Sequence, residues 1–212
     1  MLNANNAGGG GAPREVLEAG SYPVRLVKVV DIGLQEQRPY KGEEKPPVNM
    51  VSLTYEFLDE FMKGEDGEDD ETKPRWLTET LPFYNINVDR AKSTQRIKAL
   101  DPELVTEGDV SKLLGFPAIL TLVLNESKGK TYENVAGLAP MRKKDADKAP
   151  DLVNPTVLFD LDDPDMEVFN SFHKFTKEKI TSNLEFNGSK LQALMGGEPE
   201  PENEELDDEV PY

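Results

Sequence analysis

The sequence contains no cysteine, one histidine and one tryptophan in 212 residues. The absence of cysteine excludes disulfide frameworks, thiol nucleophiles, zinc ribbons and iron–sulfur clusters. No apolar run approaches the ~18 to 20 residues that a membrane helix needs, and the Asn- and Gly-rich start lacks the charged and apolar regions of a secretory signal. These absences predict an intracellular protein with no bound metal and no membrane association.

Basic residues are in deficit, with 24 Lys and Arg against 41 Asp and Glu, which gives a formal net charge of −17. The deficit is concentrated in two segments: residues 198–212 contain 8 acidic and no basic residues, and residues 59–71 contain 8 more against Lys63 alone. The rest of the chain is therefore nearly neutral. Such a body can carry a cationic groove that the overall charge conceals. The acidic run at 59–71 is expected to be a solvated hairpin tip.

The chain also lacks the short motifs of common enzymes. It contains no Gly-rich phosphate loop followed by Lys and Ser or Thr, no nucleophile elbow and no dinucleotide fingerprint. His173 stands in an aromatic-rich helical segment, where a single histidine is typical of packing or surface exposure. The acidic runs at 66–70 and 160–163 do not follow the spacing of a calcium loop. We expect no catalytic activity and no cofactor.

The hydrophobic pattern predicts three strands, a helix and two strands. Residues 51–57 alternate between apolar and polar side chains, the period of a half-buried strand, and residues 118–124 are apolar almost throughout, as in a central strand. The other predicted strands are 21–32, 75–83 and 130–141, and the helix spans 89–100 with Asp89 as its N-cap, followed by a short turn at 109–114.

This order is the connectivity of the OB-fold, a partly open barrel that binds oligonucleotides. We therefore expect a mostly β protein with α additions: an OB-fold-like five-stranded barrel with a helix between strands 3 and 4 and a C-terminal helical extension. The extension should hold one helix from Asp163 and Pro164 to Ile180 and a short one at 189–195. The expected divisions are a flexible segment 1–15, a nucleic-acid-binding domain 16–145, a linker with helices packing on the barrel 146–195, and a disordered acidic tail 196–212.

Trp76 falls on the polar face of its strand. It alternates with Leu77, whereas a tryptophan needed only for the core belongs on the leucine face. Single-stranded nucleic acid is held by aromatic faces that stack on bases and by cations that follow the phosphates. Tyr132 shares its face with Lys130, and Tyr40 stands between two basic residues in a long loop, so Trp76, Tyr132 and Tyr40 are the stacking candidates. Each of them alone also fits partial core packing.

Basic side chains near these aromatics are the candidates for phosphate contacts. They lie in the same strands and loops, and in a cluster after the last strand. They are Arg25, Lys28, Arg38, Lys41, Lys45, Lys73, Arg75, Lys128, Lys130, Arg142, Lys143 and Lys144.

These segments resemble a known family. The stretches SYPVRLVKVVDIGLQ, RWLTETLPF and KTYENVAGLAPM resemble the single-stranded DNA-binding proteins of tailed bacteriophages, and the end ENEELDDEVPY is similar to the acidic tip of bacterial and phage single-stranded DNA-binding proteins. The bacterial tip closes with Ile, Pro and Phe, whereas this chain closes with Val210, Pro211 and Tyr212.

The resemblance implies sequence-nonspecific binding of single-stranded DNA in phage DNA replication, recombination or repair, in the host cytoplasm during infection. It also implies that the tail competes with DNA for the cationic groove and recruits replication or recombination proteins through Asp207, Asp208, Glu209, Val210, Pro211 and Tyr212. Two other functions fit the composition: an acidic DNA-mimic inhibitor and a virion structural protein. The oligomeric state, the preference for DNA over RNA and the site size stay open at this point.

Overall fold

A computed structural model describes residues 15–196 of the chain. Its strands are β1 (Gly20–Gln35), β2 (Val48–Lys63), β3 (Asp69–Pro82), β4 (Pro117–Ser127), β5 (Lys130–Pro140) and β6 (Val157–Phe159). The first five form an antiparallel sheet in the order β3-β2-β1-β4-β5, and β6 pairs with β1 in parallel. A mostly β fold with helical additions is confirmed, although β6 was not expected.

The helices lie between β3 and β4 and after β5. They are α1 (Lys92–Leu100), a 3-10 helix (Val110–Leu113), α2 (Lys143–Ala146), α3 (Met166–Ser171), α4 (Lys174–Thr181) and α5 (Lys190–Leu194). None of the helices in residues 15–196 combines the length and apolar character needed to cross a membrane.

Two of the expected helix boundaries are wrong. Helix α1 follows Ala91, and the Asp89 carboxylate instead pairs with Lys98 at 2.7 Å. The single helix expected from Asp163 to Ile180 is two helices, because Phe172 adopts an extended backbone (φ −71°, ψ 147°). Asp165, rather than Asp163, caps α3 by accepting hydrogen bonds from two amides of its first turn.

Strand β1 is the centre of the fold, with β2 on one edge and β4 on the other. Val24, Leu26 and Val29 belong to the main core, whereas Val30 and Ile32 belong to a second apolar cluster. Both faces of β1 are therefore covered, which explains its nearly continuous apolar sequence. Its pairing with β2 shifts register twice, and such bulges bend a strand.

The second cluster is formed by the C-terminal segment packed on the outer side of β1. Its buried members from this segment are Phe159, Phe169, Phe172, Ile180 and Leu191. The junction is tight at Gly33, which has φ +76°: an added Cβ would lie 2.8 Å from the Asn183 side chain and 2.9 Å from that of Leu161. A side chain there would be strained and would clash, so glycine is required.

The sheet is not closed, because β3 and β5 are its two ends within residues 15–196. A side-chain ion pair crosses between these ends: Arg75 Nη2 lies 2.8 Å from Glu133 Oε1, and both side chains are buried. We call this junction the seam. The hairpin of β2 and β3 extends into the acidic run, so that only residues 64–68 remain as its tip.

Candidate nucleic-acid interface

The outer face of β2 and β3 carries polar side chains in register. Glu56 pairs with Trp76, Thr54 with Thr78 and Ser52 with Thr80. Residues directly opposite each other in antiparallel strands point to the same face. The β3 members of these pairs are exposed, whereas the intervening Leu77 and Leu81 are buried. Trp76 therefore lies on the polar side of its strand, as the alternation predicts.

The Trp76 ring is exposed and held in a fixed orientation. It is 38% exposed, and its Nε1 donates a hydrogen bond of 3.1 Å to Glu56 Oε2. The Lys28 ammonium lies 5.4 Å from the ring centroid, within the range of a cation–π contact. Burial lowers the pKa of Lys28 below its usual value. Because this ammonium lacks full solvation, a phosphate beside it would stabilise its charged form.

Glu56 fastens the C-terminal segment over β2. Its carboxylate is 1% exposed and accepts hydrogen bonds from Val153 N at 2.7 Å, Asn154 Nδ2 at 2.7 Å and Asn154 N at 3.4 Å, besides that from Trp76. Ser52 and Thr54 are buried as well. The outer face is thus covered over β1 and β2 but open along β3. A bound strand would run along β3 rather than across the whole sheet.

A groove opens at the end of this face, where β1 leaves the sheet. The cavity measures about 350 Å³. Ile32, Met50 and Pro82 give it an apolar lining. Arg38 and Lys179 supply cations. The other lining residues are Gln35, Glu36, Gln37 and Thr80. We call this cavity the sheet-end groove.

Tyr40 stands in the exposed loop that leads away from the groove. A bridge between Tyr40 and Glu43 closes a tight turn in which Lys41 and Gly42 have positive φ. The Lys45 and Lys41 ammonium groups lie 4.8 and 5.4 Å from the tyrosine ring centroid. The loop therefore presents an exposed ring flanked by two cations.

Tyr132 lies in β5 next to Glu133 of the seam, and Trp76 lies in β3 next to Arg75. Each of them is next to a member of the Arg75–Glu133 pair in its strand, and alternate residues of a strand point to opposite faces. The side chains of Trp76 and Tyr132 therefore both point away from the buried pair, one from β3 and the other from β5. Lys130 is exposed nearby, and Lys128, with φ 51°, forms the hairpin turn.

Two of the candidate phosphate ligands make hydrogen bonds within the protein. Arg25 donates to three backbone carbonyls: Nε to Pro150 O at 2.7 Å, Nη1 to Gly115 O at 2.7 Å and Nη2 to Ala149 O at 3.0 Å. Arg75 is buried in the seam. Both guanidinium groups bind protein oxygens, which gives each of them a structural role.

The other basic candidates lie outside the sheet-end groove, in β3 and near α2. Lys73 pairs with Asp70 at 2.7 Å, and Arg142 pairs with Asp145 at 2.6 Å. Lys143 and Lys144 are exposed on α2. The expected partner-binding residues of the tail lie outside the described residues: Asp207, Asp208, Glu209, Val210, Pro211 and Tyr212.

No known protein-family model matches the chain, and no curated protein matches it. In residues 15–196, no group of three or more His, Cys, Asp or Glu side chains is arranged to hold a metal ion.

Sequence reasoning missed one aromatic–cation pair. Phe175 on α4 is exposed, and the Lys179 ammonium lies 5.0 Å from its ring centroid. The sequence places Phe175 at helical spacing with Val168 and Phe172, which favours a packing role. Because the helix breaks at Phe172, Phe175 lies in α4 and Val168 lies in α3. The spacing of four residues between Phe175 and Lys179 is the only sequence signal for the pair.

A second cavity, of about 380 Å³, is acidic. Five carboxylates line it: Asp31, Asp109, Asp160, Asp162 and Glu185. Burial raises the pKa of Asp31, and repulsion by Asp160 and Asp162 adds to this rise, against a hydrogen bond from the Gly33 amide that lowers it. This cavity repels phosphate, so it does not belong to the candidate interface.

Asp31→Asn is expected to stabilise the protein at neutral pH. Because the folded-state pKa is raised, ionisation of Asp31 costs stability once the pH rises above its ordinary value near 3.8, and the cost is complete above the folded-state pKa. Denaturant unfolding of both proteins between pH 3 and pH 7 would measure this. The gain should shrink as the pH falls, and a gain independent of pH would contradict the electrostatic explanation.

Proposed function

We propose that the protein binds single-stranded DNA without sequence preference, in phage DNA replication, recombination or repair. The DNA runs along β3 of an OB-fold-like sheet. The central β1, the helix between β3 and β4 and the partly open seam support this architecture. The acidic tail competes with DNA for the cationic surface and recruits replication or recombination proteins.

The observation that carries this proposal is the exposed Trp76 ring with the Lys28 ammonium beside it. A tryptophan needed only for the core would be buried. Trp76 is instead exposed, and the buried Glu56 carboxylate fixes the orientation of its ring. Stacking on an oriented ring costs little ordering of the protein. Tyr132 in β5 and Tyr40 in the first long loop offer further exposed rings, and Lys28, Arg38, Lys45 and Lys130 offer cations.

The test is a titration with fluorescently labelled oligo(dT) at several salt concentrations. We expect saturable binding that weakens steeply with salt, because phosphate contacts release counterions, and quenching of the fluorescence of Trp76. Trp76→Ala should weaken binding by roughly 5- to 150-fold, the equivalent of ~1 to 3 kcal/mol for one base–aromatic stack.

Trp76→Phe is the matched control, because it keeps a ring but removes the Nε1 donor. It should retain most of the affinity that the alanine variant loses. If the wild-type protein shows no saturable binding in dilute buffer, DNA binding is excluded, and a virion structural role or a DNA-mimic role takes its place.

A further inference from the structure

Helix α4 presents an aromatic ring to solvent beside a cation. Phe175 is 62% exposed, and the Lys179 ammonium lies 5.0 Å from its ring centroid. The two residues are four apart in the helix and so share one side of it. The packing side of α4 is a different one, formed by the fully buried Ile180. Phe175 is therefore not required for the docking of α4.

Helix α4 is fixed in place relative to the sheet. Gln35 Nε2, at the end of β1, donates a hydrogen bond of 3.0 Å to the Lys179 carbonyl. Ile180 lies in the apolar cluster that covers β1, and Asn183, just after the helix, packs closely on Gly33. The ring and the cation are thus carried by a rigid element, which lowers the ordering cost of binding.

The sheet-end groove lies between α4 and the end of the exposed face of β3 that carries Trp76. Lys179 lines this groove together with Thr80 and Arg38. Thr80 shares the exposed face of β3 with Trp76 and lies about 13 Å along the strand from it, at ~3.3 Å per residue. Arg38 and Lys179 outnumber Glu36 among the charged groups of the groove. An apolar floor with excess positive charge suits a base and its phosphate.

We propose that Phe175 and Lys179 form a second stacking site for single-stranded DNA, reached from Trp76 through the sheet-end groove. The strand passes along β3 and places phosphates near Arg38 and Lys179, and a base stacks on Phe175. The C-terminal segment makes the outer face of β1 and β2 inaccessible to DNA. Phe175 and Lys179 of the same segment provide a DNA contact in place of that face. This inference rests on the proposed DNA binding.

The experiment compares affinities for oligo(dT) strands of graded length, across the ~4 to 16 nucleotides that one OB-fold occupies. Phe175→Ala combined with Lys179→Ala should weaken binding of the longest strands at least about fivefold and leave the shortest bound strands unaffected. Phe175→Tyr keeps a ring and should bind like the wild type. Leu184→Ala, which removes a half-exposed side chain of the same segment outside the groove lining, is the matched control.

The outcomes separate this inference from the proposed function. If the wild type binds oligo(dT) and Trp76→Ala weakens it, but the Phe175 and Lys179 variant matches Leu184→Ala at every length, the second site is wrong and DNA binding stands. If the wild type binds no oligo(dT) of any length, both the second site and the proposed DNA binding are wrong. Equal weakening at every length with a lowered Tm would assign Phe175 to the fold and also overturn the second site.

Discussion

Replacement of Glu56 by alanine is expected to release residues 151–156 from the sheet. The variant leaves four donors without their buried carboxylate: two backbone amides, the Asn154 side chain and the Trp76 indole. Each buried donor left unsatisfied costs ~1 to 3 kcal/mol, and some will find water, so we expect a total loss of roughly 2 to 4 kcal/mol. Amide hydrogen exchange should show faster exchange at Val153 and Asn154 than in the wild type.

Glu56→Gln is the control for this effect. Glutamine keeps the shape of the side chain and one acceptor oxygen. Its NH2 group replaces the other oxygen and would face hydrogen-bond donors. The loss of stability should therefore be intermediate. A Glu56→Ala protein that exchanges at the wild-type rate over residues 151–156 would show that the Arg25 hydrogen bonds and the apolar cluster hold the segment without Glu56.

The sheet was predictable because its signals are local. Alternation in β2 and β3 sets which side chains face the core, and this pattern alone predicts that Trp76 lies on the exposed face. The run of apolar residues in β1 likewise reflects burial of both its faces. The order of the five main strands along the chain is also predicted by these patterns, together with the helix between β3 and β4.

The roles of individual charged groups were not predictable. Arg25 and Arg75 look like phosphate ligands in the sequence, but each binds oxygens more than 50 residues away in the chain. The cover over β2 depends on Glu56 meeting Val153 and Asn154, which no short-range pattern reveals. The break in the second helix also depends on tertiary packing, since Phe172 turns into the cluster with Phe159.

The seam between β3 and β5 should be the most sensitive point of the sheet. Arg75→Met removes the guanidinium from a buried carboxylate, and breaking a buried pair in this way typically costs about 3 to 5 kcal/mol. Glu133 also accepts a hydrogen bond of 2.7 Å from the Leu17 amide. Glu133→Gln keeps an acceptor for that amide, so the double variant should recover part of the loss.

A double-mutant cycle measured by denaturant unfolding tests the seam directly. Lys73→Ala on the same strand is the control, because its exposed pair with Asp70 is worth little. Since Trp76 and Tyr132 flank the seam, Arg75→Met should also weaken oligo(dT) binding under conditions in which the variant is folded, whereas Lys73→Ala should lose no more than one phosphate contact. Additive stabilities in the cycle would mean that the two strand ends are held together by their apolar neighbours and not by the ion pair.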